Sequence, residues 1–377
     1  MKIRYAYNSF IYLPLAVSIL ISCSVITAKK SKLPARFSVL FAGDILLANE
    51  AERYIETNGN DYPFYKIKNE LLKYDFIIAN LETPITERGM PVNSKPYTFR
   101  INHDTAECLN DLKLDAVSIA NNHLMDYGPE GMKDTLAHLK KINIRHAGGG
   151  DTLDEARRPV RLSYDGTDII ILAYNERPPA AFSASAQSAG IATLDIPLIK
   201  EDIETHRRNN NIVIVSLHWG IEHTIVPQTY QIALAHAIID YGADAIIGHH
   251  PHWPQGIELY RGKPIVYSLG NFINGYINKI EHDNIAVVLY YNENILENIK
   301  ILPVAGRNRQ ILFQPYILKG SKASALMELI KSLSREMKTE ITIRDNTGII
   351  DPHITISDHG TEYHVTGTGS NAGINNN

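Results

Sequence analysis

Six of the fifteen histidines, His218, His223, His236, His249, His250 and His252, fall in one short stretch, and none precedes His103. Imidazole is the commonest metal ligand and the usual acid or base near neutral pH, so this crowding points to metal or proton chemistry. His250-Pro251-His252 is its sharpest part. In an extended segment residues two apart face the same way, so both rings can reach one ion, with Pro251 stiffening the pair. Two imidazoles do not hold a catalytic dication alone. The acids placed to help are Asp44, reached from an apolar run through Gly43, and Glu82, in Asn80-Leu81-Glu82 after Phe76-Ile77-Ile78-Ala79. Asn122 and His123, in Ala-Asn-Asn-His before Asp126-Tyr127-Gly128, and His218, in His-Trp-Gly, add further donors. Read singly, Asp44 also suits a helix N-cap or Asx turn, Glu82 a solvated position and the histidines a surface turn.

The elements that must position these residues alternate. Apolar β-type runs at 37–41, 75–79, 115–119, 168–173, 212–217, 244–247 and 264–268 are separated by amphipathic helical stretches at 64–72, 129–140, 197–208 and 230–241. Such alternation predicts an α/β fold with sheet buried between helical layers. Several strands run directly into the turns named above, and ligands in open α/β sheets bind beyond the carboxyl ends of the strands. The turns are therefore expected to share one site. Residues 178–190 (PPAAFSASAQSAG) read as a loop, 324–337 as a further helix, the stretch to about 356 as β-like, and 366–377 as a disordered tail.

Six motifs stand in order along residues 36 to 280. They are Gly43-Asp44, Asn80-Leu81-Glu82-Thr83-Pro84, Ala120-Asn121-Asn122-His123, His218-Trp219-Gly220-Ile221-Glu222, Gly248-His249-His250-Pro251-His252 and Tyr267-Ser268-Leu269-Gly270-Asn271-Phe272. In type and order they resemble the CapA family, bacterial proteins linked to poly-γ-glutamate capsule synthesis whose domain is similar to calcineurin-like metallophosphatases. The resemblance implies a four-layer αββα sandwich of the metallophosphatase type, with a small C-terminal extension after residue 305. It also implies a dinuclear centre of divalent transition metals (Mn, Fe or Zn) held by Asp44, Glu82, Asn122, His218, His250 and His252, with His123 as proton donor. Asp126 and Glu222 would orient imidazoles by accepting their second N–H, and His249 would stand behind the ligands. The chain departs from the phosphatase pattern at Leu46, where a histidine usually follows Asp-x, and at Glu82, where a bridging aspartate is common. Trp219, Tyr127 and Trp253 are expected to pack beside the cleft.

A two-metal centre stabilises charge on an attacked phosphoryl or carbonyl group. The resemblance therefore implies hydrolysis or transfer at a phosphoester or amide during synthesis, export or processing of an anionic surface polymer, alongside capsule ligase and export proteins. A non-catalytic polymer-binding assembly component and a stand-alone envelope phosphoesterase are the alternatives.

The 377 residues, 44% hydrophobic and 21% charged, suit one large α/β body. With 37 basic and 41 acidic residues the formal charge is −4, and no nucleic-acid partner is expected. Lys2 and Arg4 precede the apolar run 10–21, which Pro14 interrupts and which is shorter than the roughly 20 residues of a membrane span, so it reads as an export signal. Leu20-Ile21-Ser22-Cys23 resembles a lipobox, implying removal of residues 1–22, lipid on Cys23, a tether over 23–35 and an envelope location. An uncleaved anchor is the alternative. Cleavage would remove two bases and no acid, so that −4 becomes −6. Cys108, the other cysteine, is expected to pack as a small buried hydrophobe.

Overall fold

A computed structural model describes residues 35–176, 178–277, 281–356 and 362–364. The expected signal, Cys23 and its tether up to residue 34, and the expected tail from 366, lie outside the described residues. No helix among the described residues is long and apolar enough to cross a membrane.

Two sheets carry the architecture. The first has nine strands, ordered Thr342–Arg344, Thr347–Ile350, Ile295–Val304, Asn284–Asn292, Arg36–Ile45, Phe76–Leu81, Ala116–Ser118 and Arg145–Ala147, with Asn271–Ile273 also pairing on Arg36–Ile45. The second has six, ordered Ile257–Tyr260, Lys263–Val266, Ala245–His249, Asn211–His218, Thr167–Asn175 and Val160–Tyr164. Arg36–Ile45 through Arg145–Ala147 run parallel, as do Thr167–Asn175, Asn211–His218 and Ala245–His249, so each sheet directs a row of carboxyl ends one way.

Strand periodicity explains the layering. In Thr167–Asn175 the residues Ile169, Ile171 and Ala173 join one apolar cluster together with Val39, Leu40 and Phe41 of the first sheet, while Ile170, Leu172 and Tyr174 join another. Ile212 and Ile214 against Val213 and Val215 repeat the division. A period of two over a continuous apolar run buries both faces of a strand. The outer cluster packs against helices Ile196–His206, through Ile199 and Ile203, and Thr229–Asp240, through Ala235 and Ile238. Helices Glu50–Asn58 and Gly128–Lys141 pack with the first sheet through Ala51, Ile55, Met132 and Leu139. The result is the four-layer αββα sandwich.

Two elements differ from expectation. The region 64–72 is helical only over Lys68–Leu71, with turns before it. The antiparallel hairpin Asn284–Asn292 and Ile295–Val304, absent from the expected strands, carries the first sheet outward from Arg36–Ile45. Helix Gly320–Arg335 joins the two sheets at that end: Met327 and Ile330 enter the core, and the Ser334 hydroxyl accepts the Ile257 N–H at 2.9 Å.

Candidate metal centre

Carboxyl ends of both sheets meet at one edge, and glycine lets them come close. A Cβ on Gly43 would stand 2.0 Å from the Gly270 carbonyl oxygen, and one on Gly248 would stand 2.0 Å from that of Tyr267. Each glycine immediately precedes a functional side chain, Asp44 and His249, so the backbone crossing sets how near the side chains lie. The Asp44 N–H donates to the Gly270 carbonyl at 3.0 Å.

Asp44 and Glu82 are fully buried. Asp44 Oδ1 accepts from Asn80 Nδ2 at 2.8 Å and lies 3.0 Å from His249 Nδ1; its Oδ2 accepts the His250 N–H at 3.3 Å and lies 3.3 Å from His252 Nδ1. Glu82 lies 3.5 Å from His218 Nε2 through Oε1 and 3.9 Å from His252 Nδ1 through Oε2. Among the described residues neither Glu82 oxygen has a hydrogen-bond partner. His218 Nε2 stands 2.9 Å from Asn122 Oδ1 and 3.1 Å from His250 Nδ1.

Among the described residues three donor sets have ligand atoms all within 4.8 Å of one another: Glu82, His218 and His250; Asp44, Glu82 and His252; and Glu222, His250 and His252. The first two share Glu82. The six residues expected as ligands thus converge, Asn122 joining the first set through His218. A buried carboxylate with both oxygens unpaired is costly, whereas mixed carboxylate, amide and imidazole donors suit a divalent transition ion. The residues therefore fit a divalent metal ion, with Glu82 common to two of the donor sets.

The His-Pro-His geometry differs from the extended arrangement expected. His250 and His252 have φ of 95° and 59°, a left-handed turn that is costly for a residue with a Cβ. The turn sends the rings to different partners, His250 toward His218 and His252 toward Asp44 and Asn271 Oδ1, the last at 3.0 Å. Beside Glu82 the two imidazoles serve separate donor sets.

The electrostatics separate the rings too. Burial, aided by His250, holds His218 well below the ordinary histidine range, and burial with His252 holds His250 down at about 4, so both stay neutral. Burial opposes charge on His252 as well, but Glu82 and Asp44 outweigh it and raise the ring to about 10. Burial would raise Asp44, yet hydrogen bonds from His249 and His252 hold it well below the carboxylate range; burial drives Glu82 well above it.

Beside these donors, His123 Nδ1 lies 2.7 Å from Asp126 Oδ2, which also accepts the Phe99 N–H at 2.7 Å. The His123 ring rests 4.4 Å from that of Phe99. Burial lowers its pKa against the opposing pull of Asp126. Lys95, only 12% exposed, pairs with Asp126, donates to the Asn122 carbonyl at 2.6 Å and lies 3.1 Å from His123 Nδ1. A cavity of about 570 Å³ opens over the centre, bordered by Leu46, Lys95, Tyr97, His123, Glu222 and Tyr276 among others.

The remaining candidates fall in different places. His249 Nδ1 faces Asp44 Oδ1, and Asp126 Oδ2 faces His123 Nδ1. Glu222 sits exposed at the cavity mouth, with no hydrogen bond to an imidazole among the described residues. His236 lies elsewhere, 2.7 Å from Glu258 and stacked on Tyr260. Trp219 is buried against Tyr267. Sequence reasoning missed Lys95, whose loop carries no periodicity. It also missed the amide chain in which Asn121 Nδ2 donates to Asn80 Oδ1 at 3.1 Å while Asn121 Oδ1 accepts the His123 N–H at 3.1 Å. Their place within the Asn-Leu-Glu and Asn-Asn-His motifs was the available signal.

The model of the bacterial capsule synthesis protein family PGA_cap matches residues 38–276. The PGA biosynthesis protein CapA of Bacillus subtilis is 34% identical over 240 residues, 63% of each chain, so the match spans less than two thirds of that relative. The capsule biosynthesis protein CapA of Bacillus anthracis is 27% identical over 276 residues, 70% of this chain and 67% of that one. Among solved structures, the NAD nucleotidase of Haemophilus influenzae aligns with a TM-score of 0.38 at 13% identity, covering 89% of this chain and 54% of the other.

Proposed function

Because the chain belongs to the bacterial capsule synthesis protein family PGA_cap, we propose that it serves the synthesis, export or processing of an anionic cell-surface polymer of the poly-γ-glutamate type, and does so with a two-metal hydrolase or transferase centre. The observation that carries the catalytic part is the pair of donor sets joined at Glu82, a buried carboxylate with no hydrogen-bond partner. Glu82, His218 and His250, with Asn122, would hold one ion, and Asp44, Glu82 and His252 the other. Bound there, divalent Mn, Fe or Zn would supply Lewis-acid polarisation of a phosphoester or amide.

The chain's own side chains do the rest. Asp126 holds His123 through Nδ1, leaving Nε2 as the nitrogen that exchanges a proton with the leaving group. Lys95 fixes Asp126 and the Asn122 carbonyl and so the angle of the His123 ring. Asn80 holds Asp44, and Asn121 ties Asn80 to the backbone of His123, which keeps the donor sets and the proton donor in register. Tyr97 and Tyr276 wall the cavity where substrate would lie.

Metal analysis of purified protein, with turnover of phosphoester and γ-glutamyl amide probes, tests this reading. The double substitution Asp44→Ala and His250→Ala should lose both metal and turnover; His123→Ala should keep metal and lose turnover. Leu46, an apolar side chain beside Asp44 at the cavity, favours a second reading in which the pocket only binds polymer. A His123→Ala strain that makes polymer at the wild-type level would select it. We also place the chain at the envelope, anchored by lipid on Cys23; incorporation of labelled palmitate that Cys23→Ser abolishes is the check.

A further inference from the structure

We propose that Glu222 is a metal ligand, completing the position formed by Asp44, Glu82 and His252. The inference rests on the metal reading above and adds a residue to it.

That position has three protein donors, all from buried or nearly buried residues. Leu46, two residues beyond Asp44 and bordering the same cavity, offers no donor atom. Glu222 supplies what is missing. A carboxylate oxygen of Glu222 lies within 4.8 Å of one ring nitrogen of His250 and one of His252, and the side chain borders the cavity together with Leu46, Asn122 and His252. No hydrogen bond or ion pair among the described residues engages this carboxylate, although its charge acts on Glu82, His250 and His252.

The backbone explains its aim. The strand Asn211–His218 delivers His218, Gly220 turns the chain with φ of 90°, and Glu222 follows two residues later; the His223 N–H then donates to the Pro251 carbonyl at 2.8 Å. The loop carrying Glu222 is thereby tied to the His-Pro-His turn that carries the imidazoles.

Of the two rings near Glu222, His250 already faces His218, its Nδ1 3.1 Å from His218 Nε2 in the set with Glu82. His252 is the ring Glu222 shares with the Asp44 position. An exposed carboxylate on that side can swing from solvent onto an ion without breaking a contact. It would make this the more adjustable of the two positions and the one nearer to entering substrate.

Manganese binding by the full chain, followed by calorimetric titration and electron paramagnetic resonance, tests the assignment. Wild type should bind two Mn²⁺ and show a coupled-pair spectrum. Glu222→Gln should weaken one of the two ions by more than about tenfold, turning the spectrum at limiting Mn²⁺ into that of an isolated ion, while the other ion binds as before. Glu222→Asp should recover part of the affinity, and adding Leu46→His to Glu222→Gln should restore the pair by placing an imidazole on the same side. Glu222→Gln protein that binds both ions with unchanged affinity overturns the proposal and leaves the metal centre standing. Wild type that binds no Mn²⁺, Fe²⁺ or Zn²⁺ overturns the metal centre itself, and this ligand with it.

Discussion

Replacing Glu82 by glutamine should make the metal-free protein more stable and the metal-loaded protein less so. Both Glu82 oxygens are buried and lack a hydrogen-bond partner among the described residues, the nearest imidazole nitrogens standing 3.5 and 3.9 Å away. A buried group lacking its hydrogen bonds costs on the order of 1–3 kcal/mol, and more when charged. Burial drives the Glu82 carboxyl well above its ordinary range, so folding forces a proton onto it at neutral pH; glutamine keeps the shape and is neutral without that proton. For roughly 320 folded residues at about 2.1 cal/mol/K each, the unfolding entropy is about 0.7 kcal/mol/K, so the gain raises Tm by about 2–4 °C without metal. Saturation works the other way. An ion at a concentration about 100 times its Kd stabilises the fold by about 2.7 kcal/mol, and two ions raise the wild-type Tm by about 8 °C. Glu82→Gln, lacking the shared carboxylate, should show little of that rise, so the two melting curves change order between EDTA and excess Mn²⁺. Scanning calorimetry of both proteins in both buffers reads this directly. A variant that melts below wild type in EDTA, or that retains the full manganese rise, would refute the role given to Glu82.

Other substitutions probe the surrounding contacts. Lys95→Met leaves Asp126 buried without its cation and should cost about 3–5 kcal/mol in urea unfolding, most of it recovered when Asp126→Asn is added, since a buried pair is costly mainly when broken. Asn80→Ala removes one partner each from Asp44 Oδ1, which keeps His249, and from Asn121 Nδ2, which keeps the Leu81 carbonyl; a loss of about 1 kcal/mol and a weaker Mn²⁺ affinity are expected, measured by unfolding and titration. Cys108 is fully buried, and burial pushes its thiol pKa up, so a thiol reagent should label it only after denaturation. Labelling of Cys108 in the native protein would contradict the packing around it.

The parts of the fold that were legible are those in which one local signal decides the outcome. The central strands are continuous apolar runs with abrupt ends, so 212–217 and 168–173 fall within Asn211–His218 and Thr167–Asn175, and their ends carry the site. The hairpin from Asn284 to Val304 escaped because its turn, Asn292 to Asn294, has no glycine. Glu293 takes the positive φ of 56° that a glycine would advertise. In the site, the ligand types were readable because the chemistry restricts them, but the path of the backbone between ligands was not. An extended His250-Pro251-His252 would have aimed both imidazoles at one ion. The observed turn instead deals one ring to each of the two sets that share Glu82 and binds the loop of Glu222 to the same backbone through the His223 N–H. Lys95 was out of reach for a different reason. Its role comes from burial against Asp126, a residue of another loop, and nothing in Asn93-Ser94-Lys95-Pro96 distinguishes it from a solvated lysine. Contacts of that kind are set by how two loops settle over a pair of sheet edges, which is why the donors could be named from their types while the residues that hold them in position emerge only from packing.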